Sequence, residues 1–214
     1  RDLLWMRQSG MEAKILQFAD RGGLVFGICG GYQMLGQEIS DPDGSEQKGT
    51  VAGMGLLPVR TVFQQEKRRT RVEGSFLHLE GILKDLSGVP FTGYEIHMGK
   101  SVLQDGGMPL AEISEEGVHG KERSGDSAHQ DGACRGNVYG CYVHGIFDAP
   151  GAAGGFLSAL LRKKGYEPEE IQARDWKTYK EEQYDKLADI IRQSVDMEAV
   201  YRIIEKGNDA PCIL

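Results

Sequence analysis

The sequence predicts an α/β fold. Two observations carry the prediction. Leu24-Val25-Phe26-Gly27-Ile28 is a short, continuously apolar run, the pattern of a parallel strand buried on both faces. It lies between two helical segments, and strand, sharp turn and helix in succession mark layered α/β architecture.

Met11, Ile15, Phe18 and Ala19 fall on one face of the preceding helix. Asp20-Arg21-Gly22-Gly23 ends it, with glycine where a left-handed cap belongs. After the apolar strand and a glycine pair, Tyr32-Gln33-Met34-Leu35 begins a second helix. Residues 41–55 read as a polar, glycine-rich loop. Residues 56–63, 71–79 and 91–98 have strand character, the last following the turn Ser87-Gly88-Val89-Pro90. Residues 114–137 form a polar excursion, and 138–143 return as a strand ending on His144. The last third is helical. Tyr184, Leu187, Ala188, Ile191 and Val195 recur at helical spacing, and Asp196 caps a final helix with Met197, Val200, Tyr201 and Ile204 facing inward. There is no internal repeat and no clear linker, so one domain over residues 1–214 is the expectation.

Composition narrows the function classes. The 214 residues are 40% apolar with a net charge of −7, which suits a globular domain and not a nucleic-acid binder. The densest basic run, Lys67-Arg68-Arg69, reads as a solvated strand end or turn. No apolar run nears the ~20 residues of a membrane span, and Arg1-Asp2-Leu3-Leu4-Trp5 has no signal-peptide pattern. The cysteines at 29, 134, 141 and 212 make no C-x-x-C pair, which argues against zinc, and no metal site is expected. Gly, Met and free Cys in an acidic chain suggest a reducing cytoplasm. Cys212 is third from the end, not fourth, so the tail is no prenylation signal.

Cys29 stands where the apolar strand runs into the glycine pair. Small neighbours let the backbone fold sharply, as at a nucleophile elbow. That geometry exposes the sulfur, aims the Gly30 N–H at a developing oxyanion, and sets a helix N-terminus beside a thiolate. A plain buried cysteine in a tight turn is the competing reading. A thiol nucleophile also needs a base. His119 and His129 lie in the polar excursion and read as solvated. His78 sits in a strand, packing or facing solvent. His144 ends an apolar strand, where sites in open sheets assemble. Glu95 and His97 share one face of their strand by its period of two. They can pair and pull each other toward their charged forms, as a buried, satisfied ion pair would; a metal site is the weaker option, since no third ligand is evident.

Gly27-Ile28-Cys29-Gly30-Gly31-Tyr32-Gln33 resembles the G-x-C-x-G-x-Q signature of class I glutamine amidotransferases, and residues 27–36 resemble their cobyric acid synthase branch. Residues 140–148, ending His144-Gly145-Ile146-Phe147-Asp148, and the string Gly93-Tyr94-Glu95-Ile96-His97-Met98-Gly99 resemble the same branch, which implies a place near the active site for Glu95 and His97. The resemblance implies a flavodoxin-like α/β domain: an open, mostly parallel sheet with helices on both faces and additional strands. It implies that Cys29 attacks the glutamine side-chain amide, Gln33 helps hold the substrate, and His144 is the base. Ile146 stands where most class I enzymes carry Glu, which implies a Cys–His dyad. Asp148 either orients the ring or serves as a turn residue before Pro150.

Further expectations follow from that branch. The ammonia would serve ATP-dependent amidation of the b, d, e and g carboxylates of adenosylcobyrinic acid a,c-diamide, in cobalamin synthesis. The glutamine domain itself needs no cofactor. ATP and Mg belong to a synthetase domain that normally precedes it, and the corrinoid is the acceptor. The related cobyrinic acid a,c-diamide synthases, peptidoglycan-precursor amidating subunits and degenerate non-catalytic domains are the alternatives. The chain starts at Arg1, with a single parallel strand before the elbow. A truncated domain of low activity is therefore expected. Its Leu24–Ile28 edge should be exposed, and by the resemblance a second oxyanion donor lies upstream.

Overall fold

The computed structural model describes residues 1–115, 128–168 and 176–206. These fall into two compact units, Arg1–Ala173 and Arg174–Leu214.

The first unit opens with helices α1 (Asp2–Gln8) and α2 (Met11–Asp20), followed by strand β1 (Val25–Ile28) and helix α3 (Gly30–Leu35). Gly22 follows α2 with φ 76°, the left-handed stop that the glycine pair predicts. β1 pairs in parallel with β9 (Val138–Cys141), and β9 pairs antiparallel with β8 (Ala133–Arg135). A second sheet runs from β3 (Gly49–Ala52) through β2 (Glu38–Asp41), β4 (Val59–Phe76) and β6 (Ala111–Glu115) to β7 (His129–Asp131), with β5 (Pro90–Leu103) on β4. This is the α/β class with additional strands. Its parallel pairings are β1 with β9 and β2 with β4, and the other pairs are antiparallel. A core of Val72, Phe76, Leu83, Leu110, Tyr139 and Val143 fills the interior. Helix α4 (Pro150–Lys163) adds Ala152 and Ala159 to it. Proline at the first position of α4 suits a site whose N–H needs no helical partner.

Several elements differ from the sequence reading. β4 is one strand of 18 residues that passes through Lys67, Arg68 and Arg69, so the basic run is neither a strand end nor a turn. A register shift between Phe63 and Arg68 absorbs the polar stretch. The polar loop 41–55 contains a hairpin, because β2 and β3 pair on either side of it. His78 lies beyond the end of β4 and is exposed. β9 stops at Cys141, short of His144. His129 is on β7, and His119 lies outside the described residues. Met11 and Phe18 on α2 are 44% and 56% exposed, and β1 has no strand on its other edge among the described residues.

The second unit contains helices α5 (Trp176–Ser194) and α6 (Met197–Lys206). Asp196 caps α6 as expected, accepting the Ala199 N–H at 3.0 Å. Tyr184, Leu187 and Ile191, which recur at helical spacing, are exposed, and so are Tyr201 and Ile204, for which the sequence predicts an inward face. By themselves, two helices supply only narrow apolar stripes to each other.

Candidate active site

Cys29 is the only non-glycine among the described residues with positive φ, at φ 54° and ψ −114°. Such a conformation stores about 1–3 kcal/mol and persists only where its surroundings enforce it. Here they do. The Cys29 N–H donates to Cys141 O at 2.8 Å, which ties the elbow to β9. A Cβ on Gly27 would lie 2.7 Å from the Gly31 carbonyl carbon, and one on Gly140 would lie 2.7 Å from the Tyr32 ring. Only glycines let α3 fold back this closely over β1 and β9. Burial pushes the Cys29 thiol up, the Gly30 N–H pulls it down, and the Glu46 carboxylate raises it again. The net shift is upward. The expected thiolate stabilisation by the helix is outweighed, because α3 is only six residues long and the sulfur is partly desolvated.

Strand β5 joins the rest of the site. A Cβ on Gly93 would lie 2.3 Å from His144 O, so glycine there lets the His144 segment lie flat on the strand. Tyr94 and His144 exchange backbone hydrogen bonds of 3.0 and 2.8 Å. Two residues on, the Ile96 carbonyl accepts from the Cys29 thiol at 3.6 Å. Tyr94 and Ile96 take the exposed face, while Glu95 and His97 take the other, as their spacing predicts. The pair forms: Glu95 Oε1 is 3.2 Å from His97 Nε2. His129 Nε2 is 3.8 Å from the same oxygen, and Arg68 Nε is 2.6 Å from Oε2 without an aligned hydrogen bond. Burial works against the Glu95 charge. The hydrogen bonds of His129 and His97 and the charge of Arg68 win, holding the carboxyl down to about 2.

His97 is fixed on three sides. Its Nδ1 is 2.8 Å from Gly99 O, its Nε2 faces Glu95, and its ring stacks on Tyr142 with centroids 3.8 Å apart. Tyr142 in turn accepts from Gln33 Nε2 at 3.2 Å, and its hydroxyl lies 2.6 Å from Ser101 Oγ. A Cβ on Gly99 would lie 2.6 Å from Gln33 Nε2. Both glycines of the 93–99 string therefore have a steric reason.

A cavity of about 370 Å³ contains Cys29 and is walled by Gly30, Gln33, Glu46, Lys67, Ile96 and His97. A second, of about 630 Å³, shares Lys67, His97 and Met98 with it and holds Glu95, His129 and Asp131. His144 lines neither cavity. Its Nε2 is buried without a hydrogen-bond partner among the described residues.

Residues 1–152 match the family model described as the CobB/CobQ-like glutamine amidotransferase domain. The chain belongs to that family. It is 46% identical over 209 residues to a cobyric acid synthase of Ruminiclostridium cellulolyticum, covering 96% of this chain and 39% of the relative. The cobyric acid synthases of Lachnoclostridium phytofermentans and Streptococcus sanguinis are 43% and 42% identical, each over 96% of this chain and 40% and 38% of theirs. The chain thus spans about two fifths of the length of the curated relatives it matches.

Within this amidotransferase domain the structure brings Cys29, Gly30, Gln33 and His97 to one cavity and locks His144 to the same strand as Glu95 and His97. Asp148 is exposed and closes a turn, its N–H donating to Gly145 O at 2.8 Å. Cys141 is fully buried packing. Sequence reasoning missed Tyr142, Arg68 and Asp131. The Asp131 carboxylate accepts the Tyr142 N–H at 3.0 Å, and burial foremost pushes it up to about 6. Among the described residues no cluster of three or more His, Cys, Asp or Glu is placed to hold a metal. No helix among them is long and apolar enough to cross a membrane.

Proposed function

We propose that this domain hydrolyses glutamine with Cys29 as nucleophile and His144 as acid and base. The carrying observation is the strained Cys29 elbow inside a cavity that also holds Gly30 and Gln33. In this reading His144 takes the thiol proton and the sulfur attacks the side-chain amide carbon. The Gly30 N–H stabilises the oxyanion, and His144 returns the proton to the departing ammonia. Water then adds to the thioester, giving up a proton to His144, and glutamate leaves with the thiol restored. The parallel register supports this pairing of residues. Ile28 lies beside Cys141, so both chains leave the sheet at the same end, where sites assemble. Among the described residues His144 Nε2 has no hydrogen-bond partner, so in this reading it is the ring nitrogen left to carry the proton.

The relatives' name extends the proposal. The ammonia would feed ATP- and Mg-dependent amidation of corrinoid carboxylates by a synthetase partner in the cytoplasm. A glutamine-shaped electrophile should label Cys29 and spare Cys134, Cys141 and Cys212. Labelling that falls mainly on Cys141 overturns the assignment. In a protein as long as the relatives, Cys29→Ser should abolish amidation driven by glutamine and leave amidation from ammonium salt intact.

A further inference from the structure

The loop between β2 and β3 is tied down from inside. Asp41, 3% exposed, accepts the N–H groups of Ser45, Glu46 and Gln47 at 2.8–2.9 Å. Burial pushes its carboxyl up, yet these donors and Gly44 leave it below the usual carboxylate range. The oxygens of Asp41 are thus occupied by the backbone. The loop they organise brings Glu46 to the wall of the Cys29 cavity.

The Glu46 carboxylate makes no hydrogen bond or ion pair among the described residues, and its charge reaches the Cys29 sulfur, where it opposes the thiolate. Lys67, from the irregular stretch of β4, lines the same cavity. The cavity therefore offers anions, Glu46 and Asp2, and cations, Lys67 and Arg1, around the nucleophile. A free α-amino acid carries the complementary pair. Resting on the glutaminase reading above, we infer that Glu46 accepts the α-ammonium of bound glutamine and selects a free amino acid over an amide that lacks this group. Pairing with the ammonium also cancels the field that Glu46 exerts on the sulfur, so the correct substrate favours its own nucleophile. Asp2 lines the cavity too, which makes Asp2→Asn the control.

The test measures alkylation of Cys29 in the whole chain by iodoacetamide, followed by peptide mapping, with glutamine or glutaramate (glutamine without its amino group) as protectant. In Glu46→Gln, alkylation without protectant should be faster at neutral pH. The glutamine concentration giving half-protection should rise about 10–100-fold, the usual scale for losing a charged hydrogen bond. Glutaramate should protect both proteins equally. Unchanged half-protection by glutamine in Glu46→Gln, or the same rise in Asp2→Asn, overturns the inference while leaving the glutamine site standing. If glutamine fails to protect even the unaltered chain, the glutaminase reading falls and this inference with it.

Discussion

Two buried carboxylates that line one cavity with His97 are driven in opposite directions. Glu95 has cationic and hydrogen-bonding neighbours and titrates at about 2, below its ordinary 4.5. Its stabilising effect is present above about pH 4.5 and is lost as pH falls through 2. Glu95→Gln should cost roughly 2 kcal/mol near neutral pH, with partial solvent screening allowed for, and progressively less in acid. Asp131 is nearly fully buried and titrates at about 6, above its ordinary 3.8. Its contribution is complete below about 3.8 and is lost as pH rises through 6. Asp131→Asn keeps an acceptor for the Tyr142 N–H. It should gain about 1–3 kcal/mol near pH 8 and nothing near pH 4. Urea denaturation of both variants across pH checks the opposite signs, and parallel profiles would contradict the assignment. For the base, His144→Ala should lower glutaminase turnover about 10²–10⁴-fold, with Asp148→Asn costing far less. Steady-state kinetics would instead reveal a triad if the two losses matched.

At the scale of elements, the site depends on how closely β5 approaches its neighbours. An Ala methyl at 93 would sit 2.3 Å from His144 O, which is backbone and cannot step aside. Gly93→Ala should therefore cost about 1–3 kcal/mol and move His144 away from its anchoring strand. The same substitution at Gly31 meets nothing within 4 Å and lies in α3, where Ala is favoured by about 0.5–1 kcal/mol. Thermal unfolding and glutaminase rate, measured side by side, separate the two. A Gly93→Ala protein as stable and active as the original would show that the strand pairing does not hold the base.

For the molecule as a whole, apolar surface is left uncovered. Among the described residues β1 pairs on one edge only, Met11 and Phe18 of α2 share a cavity wall with Val25 and Phe26 and are largely exposed, and Leu4 and Trp5 of α1 are 38% and 58% exposed. Unpaired strand edges flanked by apolar side chains promote association. The chain should self-associate over the micromolar range. Met11→Lys combined with Phe18→Lys should reduce that association, with little change in unfolding temperature. Analytical ultracentrifugation decides this, and a monomer at all concentrations would show that the exposed face is inert.

What the sequence determined by itself was local. The apolar run, the glycines and Cys29 fall within a few residues, and backbone sterics convert such a string directly into an elbow. Glu95 and His97 were legible for the same reason, since a strand's period of two decides which neighbours share a face. Tertiary structure decided the rest. Gln33 meets Tyr142 across 109 residues of chain, and Arg68 reaches Glu95 because β4 runs on through a polar stretch that reads as a turn. His129, its side chain still 38% exposed, comes within 3.8 Å of Glu95 once β7 pairs with β6. Tyr142 and Asp131 carry no local signal, because a hydroxyl or carboxylate acquires its role from the partners that folding brings to it. The thiol's upward shift is of the same kind. A motif specifies the elbow, but burial and the charge of Glu46 on a separate hairpin decide how readily its sulfur ionises.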